Sequence, residues 1–146
     1  MPSDAKAKAY FIAHRTALES LVETVVHDPN IEFVNVRGVA YGSDARGPAY
    51  VACAKRLREL GAQSLSKQSR GVVAIYFWGA GCAICHDSYK GFAYVADPSV
   101  DIPDGSKVCS SLANKALPPG KYASIEDGIY LVPITDHWYL IRLEIG

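Results

Sequence analysis

Hydrophobic and polar positions recur along the chain with two different periods. The longer one, of three to four residues, predicts the helices. In Ser3–His27 apolar side chains recur every three or four residues, which is the spacing of one face of an amphipathic helix. A second helix is predicted to begin at Pro48, where a missing N–H costs nothing, and to end at Gly61, a typical C-terminal stop. A third, short helix is predicted within Ser106–Ala116.

Other segments carry the period of two, or the β-branched and aromatic content, that is typical of strands. The predicted strands are Ile31–Val36, Val72–Trp78, Gly91–Ala96, Ile129–Ile134 and Trp138–Ile145. Both alternating sets of the second strand are apolar, so we expect it to be central and covered on both faces. Pro133 cannot donate a ladder hydrogen bond, which predicts an edge or a bulge there. Trp138 is expected on the less buried face of its strand.

These elements together predict an α+β fold in one globular domain, residues 1–146. The sheet is expected to be mainly antiparallel or mixed, with about five strands, and the two main helices should pack on one face. A chain of 146 residues can bury roughly two-thirds of its unfolded surface. With 49% hydrophobic and 21% charged residues, the composition is that of an ordered protein with its own core.

The charge balance narrows the range of partners. Fifteen basic residues offset fifteen acidic ones, so no global field attracts nucleic acid or an anionic membrane, and neither is expected as a partner. The first residues carry charges where a secretory signal needs an apolar run, and no stretch reaches the roughly 20 apolar residues of a membrane span. We therefore expect a soluble cytoplasmic protein with reduced cysteines.

The densest candidate chemistry lies in a turn with the sequence C-A-I-C-H. Cys82, Cys85 and His86 match the attachment signature of c-type haem, but haem is not expected because its attachment normally occurs in exported proteins. C-x-x-C on a turn is also a common zinc half-site, and His86, Cys53 or Cys109 would complete the four ligands. A third interpretation treats these cysteines as semi-buried residues of a glycine-rich hairpin loop.

The apolar segment that precedes this turn suggests a further chemistry. The sequence VAIYFWGAGCAIC over residues 73–85 resembles the active-site strand of thioredoxin-like proteins, in which C-x-x-C follows a buried strand. The resemblance implies that Cys82 is the attacking thiolate and Cys85 the resolving thiol. The turn is thus a candidate for thiol redox chemistry as well as for zinc.

A separate set of residues is a candidate for binding another protein. Trp138 and His137 lie beside a predicted hairpin turn with Tyr130 near, and aromatic side chains supply large contact areas at interfaces. The alternative for Trp138 is that it packs beneath a helix. Arg56 and Arg58 belong to a basic stretch that would suit an acidic protein, although such stretches are usually solvated helix faces.

No nucleophile, base and charge stabiliser can be brought together from this sequence with any specificity. We therefore expect a small non-catalytic protein, without a cofactor, that docks to or inhibits another macromolecule. In size and organisation it is similar to the small cytosolic immunity proteins that neutralise bacterial toxins. The alternative is a thiol oxidoreductase or zinc protein that uses Cys82, Cys85 and His86.

Overall fold

The computed structural model describes residues 1–37, 47–67, 71–80, 87–103, 105–109 and 128–145. These residues form two helices, which are α1 (Asp4–Val26) and α2 (Pro48–Leu60). They also form seven strands, which are β1 (Phe33–Asn35), β2 (Ser64–Lys67), β3 (Val72–Ala80), β4 (Asp87–Val95), β5 (Lys107–Val108), β6 (Gly128–Thr135) and β7 (Trp138–Ile145).

All seven strands belong to one sheet in the order β1-β2-β3-β4-β7-β6-β5. Every neighbouring pair is antiparallel except β5 and β6, which are parallel, so the predicted α+β fold with a mixed sheet is confirmed. The main core cluster contains buried residues of both helices and of one sheet face, which confirms that the helices share a side. Within the described residues, neither helix is both long and apolar enough to cross a membrane.

Both helices begin and end close to the predicted residues. Ser3 caps α1 by accepting a hydrogen bond from the Lys6 amide, and the buried face of the helix follows the three- and four-residue spacing. Pro48 is the first residue of α2, and Gly61 ends it in a left-handed conformation (φ 76°). Local signals therefore placed the helices correctly.

The sheet has more strands than the sequence predicted. β2 lies between β1 and β3 but buries only Leu65, so its sequence has too little apolar content to suggest a strand. β5 lies in the segment predicted as a third helix, because Lys107 and Val108 pair with β6 instead. Both side chains are exposed and give no periodic signal, so the helix prediction is wrong at its start. Residues 110–116 of that prediction lie outside the described residues.

The central hairpin of β3 and β4 contains a bulge. Tyr76 pairs with Gly91, whereas Trp78 pairs with Lys90, so Phe77 is the extra residue. Phe77 and Trp78 therefore both pack towards the helices. A Cβ atom on Gly91 would lie 1.9 Å from the Ile75 carbonyl oxygen, so only glycine fits opposite the bulge.

Trp138 packs beneath α1, as one of its two interpretations predicted, and not on the less buried face of its strand. It belongs to the helix-covered core with Leu140 and is 1% exposed. A smaller cluster on the other face contains Ile141 and Leu131. Both faces of β7 thus contain apolar residues, which is why alternation alone did not identify the helix side.

Polar side chains join the start of α1 to the sheet. The buried Lys90 ammonium donates to the Asp4 carboxylate (2.6 Å) and to the Pro2 carbonyl (3.0 Å). On the same face, the buried Glu144 carboxylate accepts hydrogen bonds from Ser88 (2.9 Å) and from Arg142. The Lys90 hydrogen bonds attach the first turn of α1 to β4.

Candidate functional site

A groove of about 900 Å³ runs between the C-terminal half of α1 and the turn that joins β6 to β7. We call it the α1–turn groove. Its helix side is lined by Arg15, Glu19, Val22, Glu23, Val26 and His27. Its sheet side is lined by Tyr94, Ala96, Pro98, Thr135, Asp136, His137, Trp138 and Tyr139.

The groove is supported by aromatic packing beneath it. The Trp138 ring lies 5.1 Å from Phe11 of α1 and 5.5 Å, edge to face, from Tyr94 of β4. These centroid distances lie within the favourable range for aromatic pairs, so Trp138 joins helix and sheet at one point. Because its ring is almost fully buried, Trp138 sets the shape of the groove, while the more exposed Tyr94 contributes to its surface.

The turn on the sheet side has an unusual backbone conformation. His137 has a φ of +64°, which is uncommon for a residue other than glycine. Its Nδ1 lies 3.1 Å from the Val95 carbonyl oxygen, and its own carbonyl accepts from the Val95 amide (2.8 Å). Since a carbonyl oxygen can only accept, Nδ1 carries the proton. The two hydrogen bonds fix the turn against the end of β4.

The loop after β4 forms another part of the sheet side. The Asp97 carboxylate accepts hydrogen bonds from the Ser99 hydroxyl (2.6 Å) and amide (3.0 Å), and these hold the pKa of Asp97 below its ordinary value. Asp101 in turn accepts from the Asp97 amide (3.0 Å). These bonds order the loop that carries Ala96 and Pro98.

Charged groups are distributed unevenly around the groove. The Arg15 guanidinium lies 2.8 Å from the Glu19 carboxylate, so these two charges neutralise each other. Among the residues that the structure describes, the carboxylates of Glu23 and Asp136 have no ion-pair partner. With neutral imidazoles, the lining therefore has a net negative charge, although the whole chain is neutral.

The structure brings together only some of the residues predicted to bind a partner. His137 and Trp138 line the α1–turn groove, but Tyr130 is buried in the core elsewhere. Arg56 donates to Ser20 and Thr24 on another flank of α1.

Arg58 likewise has a bond within the protein, because it donates to the Val36 carbonyl (3.1 Å). Both arginines thus have a visible structural role in joining α2 to its surroundings. A role for them in partner binding stays a prediction.

The cysteine turn lies outside the described residues. The structure describes β3 up to Ala80 and β4 from Asp87, and Cys82, Cys85 and His86 fall between them. Redox and zinc chemistry at this turn therefore stay predictions. No group of three or more histidine, cysteine, aspartate or glutamate side chains that could hold a metal occurs within the described ranges.

The two described cysteines differ in environment. Cys53 is buried in α2, and this burial raises the pKa of its thiol from 9.0 to about 11. A thiol of that pKa stays protonated near neutral pH, which disfavours both metal binding and nucleophilic attack. Cys109 is half-buried after β5, with its sulfur 3.7 Å from the Leu131 carbonyl oxygen.

Sequence reasoning did not identify the helix side of the groove. The apolar spacing of α1 predicts only its buried face, and Glu19, Glu23 and Val26 lie outside that face. The sequence contains one signal of this surface, because Ile12 and Val26 are apolar but lie away from the predicted buried face of α1. Both side chains are exposed in the structure. Helical spacing places them on the same flank as Arg15, Glu19 and Glu23.

Comparisons of the chain with protein-family models, with curated proteins and with solved structures gave no match. Any statement about function therefore rests on the site itself.

Proposed function

We propose that this chain is a small non-catalytic binding protein that docks to, or inhibits, another protein through the α1–turn groove. The observation that carries the proposal is the groove itself, which combines aromatic, aliphatic and charged side chains on a rigid framework. Interfaces commonly have this composition, with an apolar and aromatic centre inside a polar rim.

The size of the groove supports a macromolecular partner. A volume of about 900 Å³ lies at the upper end of the range usual for small-molecule sites, and it extends along several turns of α1. A groove beside a helix accommodates an extended segment or a helix of a partner. The proposal therefore assigns the groove to a protein segment.

The rigidity of the groove supports tight binding. Its helix side belongs to one long helix, and Trp138 and the His137–Val95 hydrogen bonds fix its sheet side. A surface that is already ordered loses little side-chain entropy when a partner binds. Val26, which is 42% exposed, offers an apolar contact at the surface of the groove.

Affinity capture with a blocked groove tests the proposal. The wild-type chain, the groove variant Val26→Arg and the control variant Val51→Arg are used in parallel to capture proteins from the native host. Val51 is a matched control because it is 58% exposed on α2 and does not line the groove. Mass spectrometry then identifies and quantifies the captured proteins.

We expect one stoichiometric partner with the wild-type chain and with Val51→Arg, and its loss with Val26→Arg. Circular dichroism spectra of all three chains should be the same, because both substitutions replace exposed side chains. Retention of the partner by Val26→Arg would show that the groove is not the docking site. Repeated failure of the wild-type chain to capture any partner would contradict the binding role itself.

A further inference from the structure

We infer that the segment that occupies the α1–turn groove is cationic, with lysine or arginine side chains beside an apolar anchor. This inference rests on the proposed function and adds the chemistry of the partner. It starts from the unbalanced carboxylates of the groove. Glu23 lies on the helix side and Asp136 on the turn side, so negative charge faces the groove from both sides.

The negative end of α1 is already compensated within the protein and adds no charge to the groove. The carbonyl groups at the C-terminus of a helix carry a partial negative charge, which nearby cations stabilise. Lys67 donates to the Asp28 carbonyl just beyond the helix (2.7 Å), and Arg56 donates to Thr24 in the last turn of α1 (3.0 Å). The negative charge of the groove therefore comes from the carboxylates of Glu23 and Asp136.

The surfaces between the carboxylates suit the rest of a lysine or arginine side chain. Tyr94 offers an aromatic ring, over which guanidinium and ammonium groups bind favourably. Val26 offers aliphatic contact for the methylene stems of the same side chains and for an apolar anchor. Carboxylates, an aromatic ring and an aliphatic side chain together are thus complementary to a basic segment, whereas an acidic segment would be repelled.

A peptide-binding measurement tests the inference. The probe is a short capped peptide in which lysines and arginines flank one leucine, and the control peptide has glutamates in place of the basic residues. Isothermal titration calorimetry gives the affinity, and amide chemical shifts locate the site. Titrations at about 50 mM and about 300 mM salt measure the electrostatic share of binding.

We expect the basic peptide to bind and to shift amides of α1 residues 15–27 and of residues 135–139. Its affinity should fall with salt, and the acidic peptide should not bind. The double variant Glu23→Gln/Asp136→Asn removes two charges without changing side-chain size, and it should weaken binding about fivefold. Glu59→Gln is the matched control, because Glu59 is exposed on α2 and does not line the groove, and it should leave the affinity unchanged.

Several results would overturn the inference. In calorimetry these are equal binding of the acidic peptide, no binding of the basic peptide, or an affinity that neither salt nor the double variant alters. In the chemical-shift measurement it is a set of shifted amides confined to other surfaces. Spermidine binding as tightly as the peptide would assign the groove to small polycations instead. If Val26→Arg loses the captured partner while the peptides show no charge preference, the inference fails and the proposed function stands. If capture does not depend on the groove, both fail.

Discussion

Gly91 has no side chain at the position where β4 passes the bulge of β3. Alanine there would place its Cβ 1.9 Å from the Ile75 carbonyl oxygen, and this contact is with backbone that cannot move without disturbing the central hairpin. We expect Gly91→Ala to lower the free energy of unfolding by about 3 kcal/mol. Urea denaturation measures this loss.

Gly61→Ala is the matched control for this prediction. Gly61 has a φ of 76°, but no atom lies within 4 Å of the position that a Cβ would take, so alanine there is strained without a clash. We expect it to cost about 1 kcal/mol. Equal losses in the two variants would contradict the assigned role of Gly91.

The buried thiol of Cys53 predicts a change of stability with pH. Well below pH 9 the thiol is protonated in both the folded and the unfolded chain, so its contribution is constant. Between its ordinary pKa of 9.0 and the folded value of about 11, the unfolded chain loses the proton first, and the free energy of unfolding falls as pH rises. A pKa difference of about 2 corresponds to about 2.7 kcal/mol, which is the upper limit of the loss from this group.

Cys53→Ala isolates that contribution from the other groups that titrate in the same range. The variant should show a shallower fall of unfolding free energy between pH 9 and pH 11 than the wild-type chain does, as measured by urea denaturation at each pH. Parallel curves for the two chains would contradict the assignment.

Individual residues with a strong local signal were predicted well from the sequence. Pro48 and Gly61 mark the ends of α2 because their backbone chemistry favours those positions in any context. The bulge opposite Gly91 and the burial of Trp138 depend on which strands pair and which face α1 covers. Such contacts involve distant parts of the chain, and one sequence does not specify them.

At the scale of elements, the turn between β6 and β7 depends on the left-handed conformation of His137. Asparagine adopts this conformation more readily than most residues, whereas a β-branched residue adopts it rarely. Both variants lose the side-chain hydrogen bond to Val95, so we expect His137→Asn to lower the free energy of unfolding by about 1 kcal/mol and His137→Val, which also strains the backbone, by about 3 kcal/mol. Thermal and urea denaturation compare the two. Similar stability of both variants would mean that the turn does not require this conformation.

The attachment of α1 to the sheet depends on the Lys90–Asp4 ion pair. Lys90→Met removes the buried ammonium together with its bonds to Asp4 and Pro2. We expect a loss of about 2 kcal/mol and faster amide hydrogen exchange in the first turn of α1. Lys55→Met is the control, because Lys55 is highly exposed and its pair with Glu59 is 4.0 Å long, so the loss should be below about 0.5 kcal/mol. Unchanged exchange in Lys90→Met would contradict the role of this pair.

Elements with a long, regular apolar pattern were predicted, and short ones were not. α1, α2, β3 and β7 each bury enough apolar side chains for their period to be visible. β2 and β5 are strands because neighbouring strands offer hydrogen bonds, not because their own sequences favour the conformation.

At the scale of the whole molecule, the α1–turn groove joins segments that are more than 100 residues apart in the chain. Its helix side ends at His27 and its turn begins at Thr135, so no local pattern could have predicted their proximity. His137 and Trp138 were selected from the sequence because aromatic residues beside a turn are typical of interfaces. The negative charge of the groove could not be predicted, because Glu23 and Asp136 come together only in the folded structure.

Hydrogen–deuterium exchange of the chain with and without its captured partner tests the central claim most directly. If the α1–turn groove is the docking site, the partner should slow exchange in α1 residues 15–27 and in residues 94–98 and 135–139, and leave α2 unchanged. Slowed exchange confined to α2 around Arg56 and Arg58, or to residues 81–86 with the cysteine turn, would contradict the claim and place the docking site there.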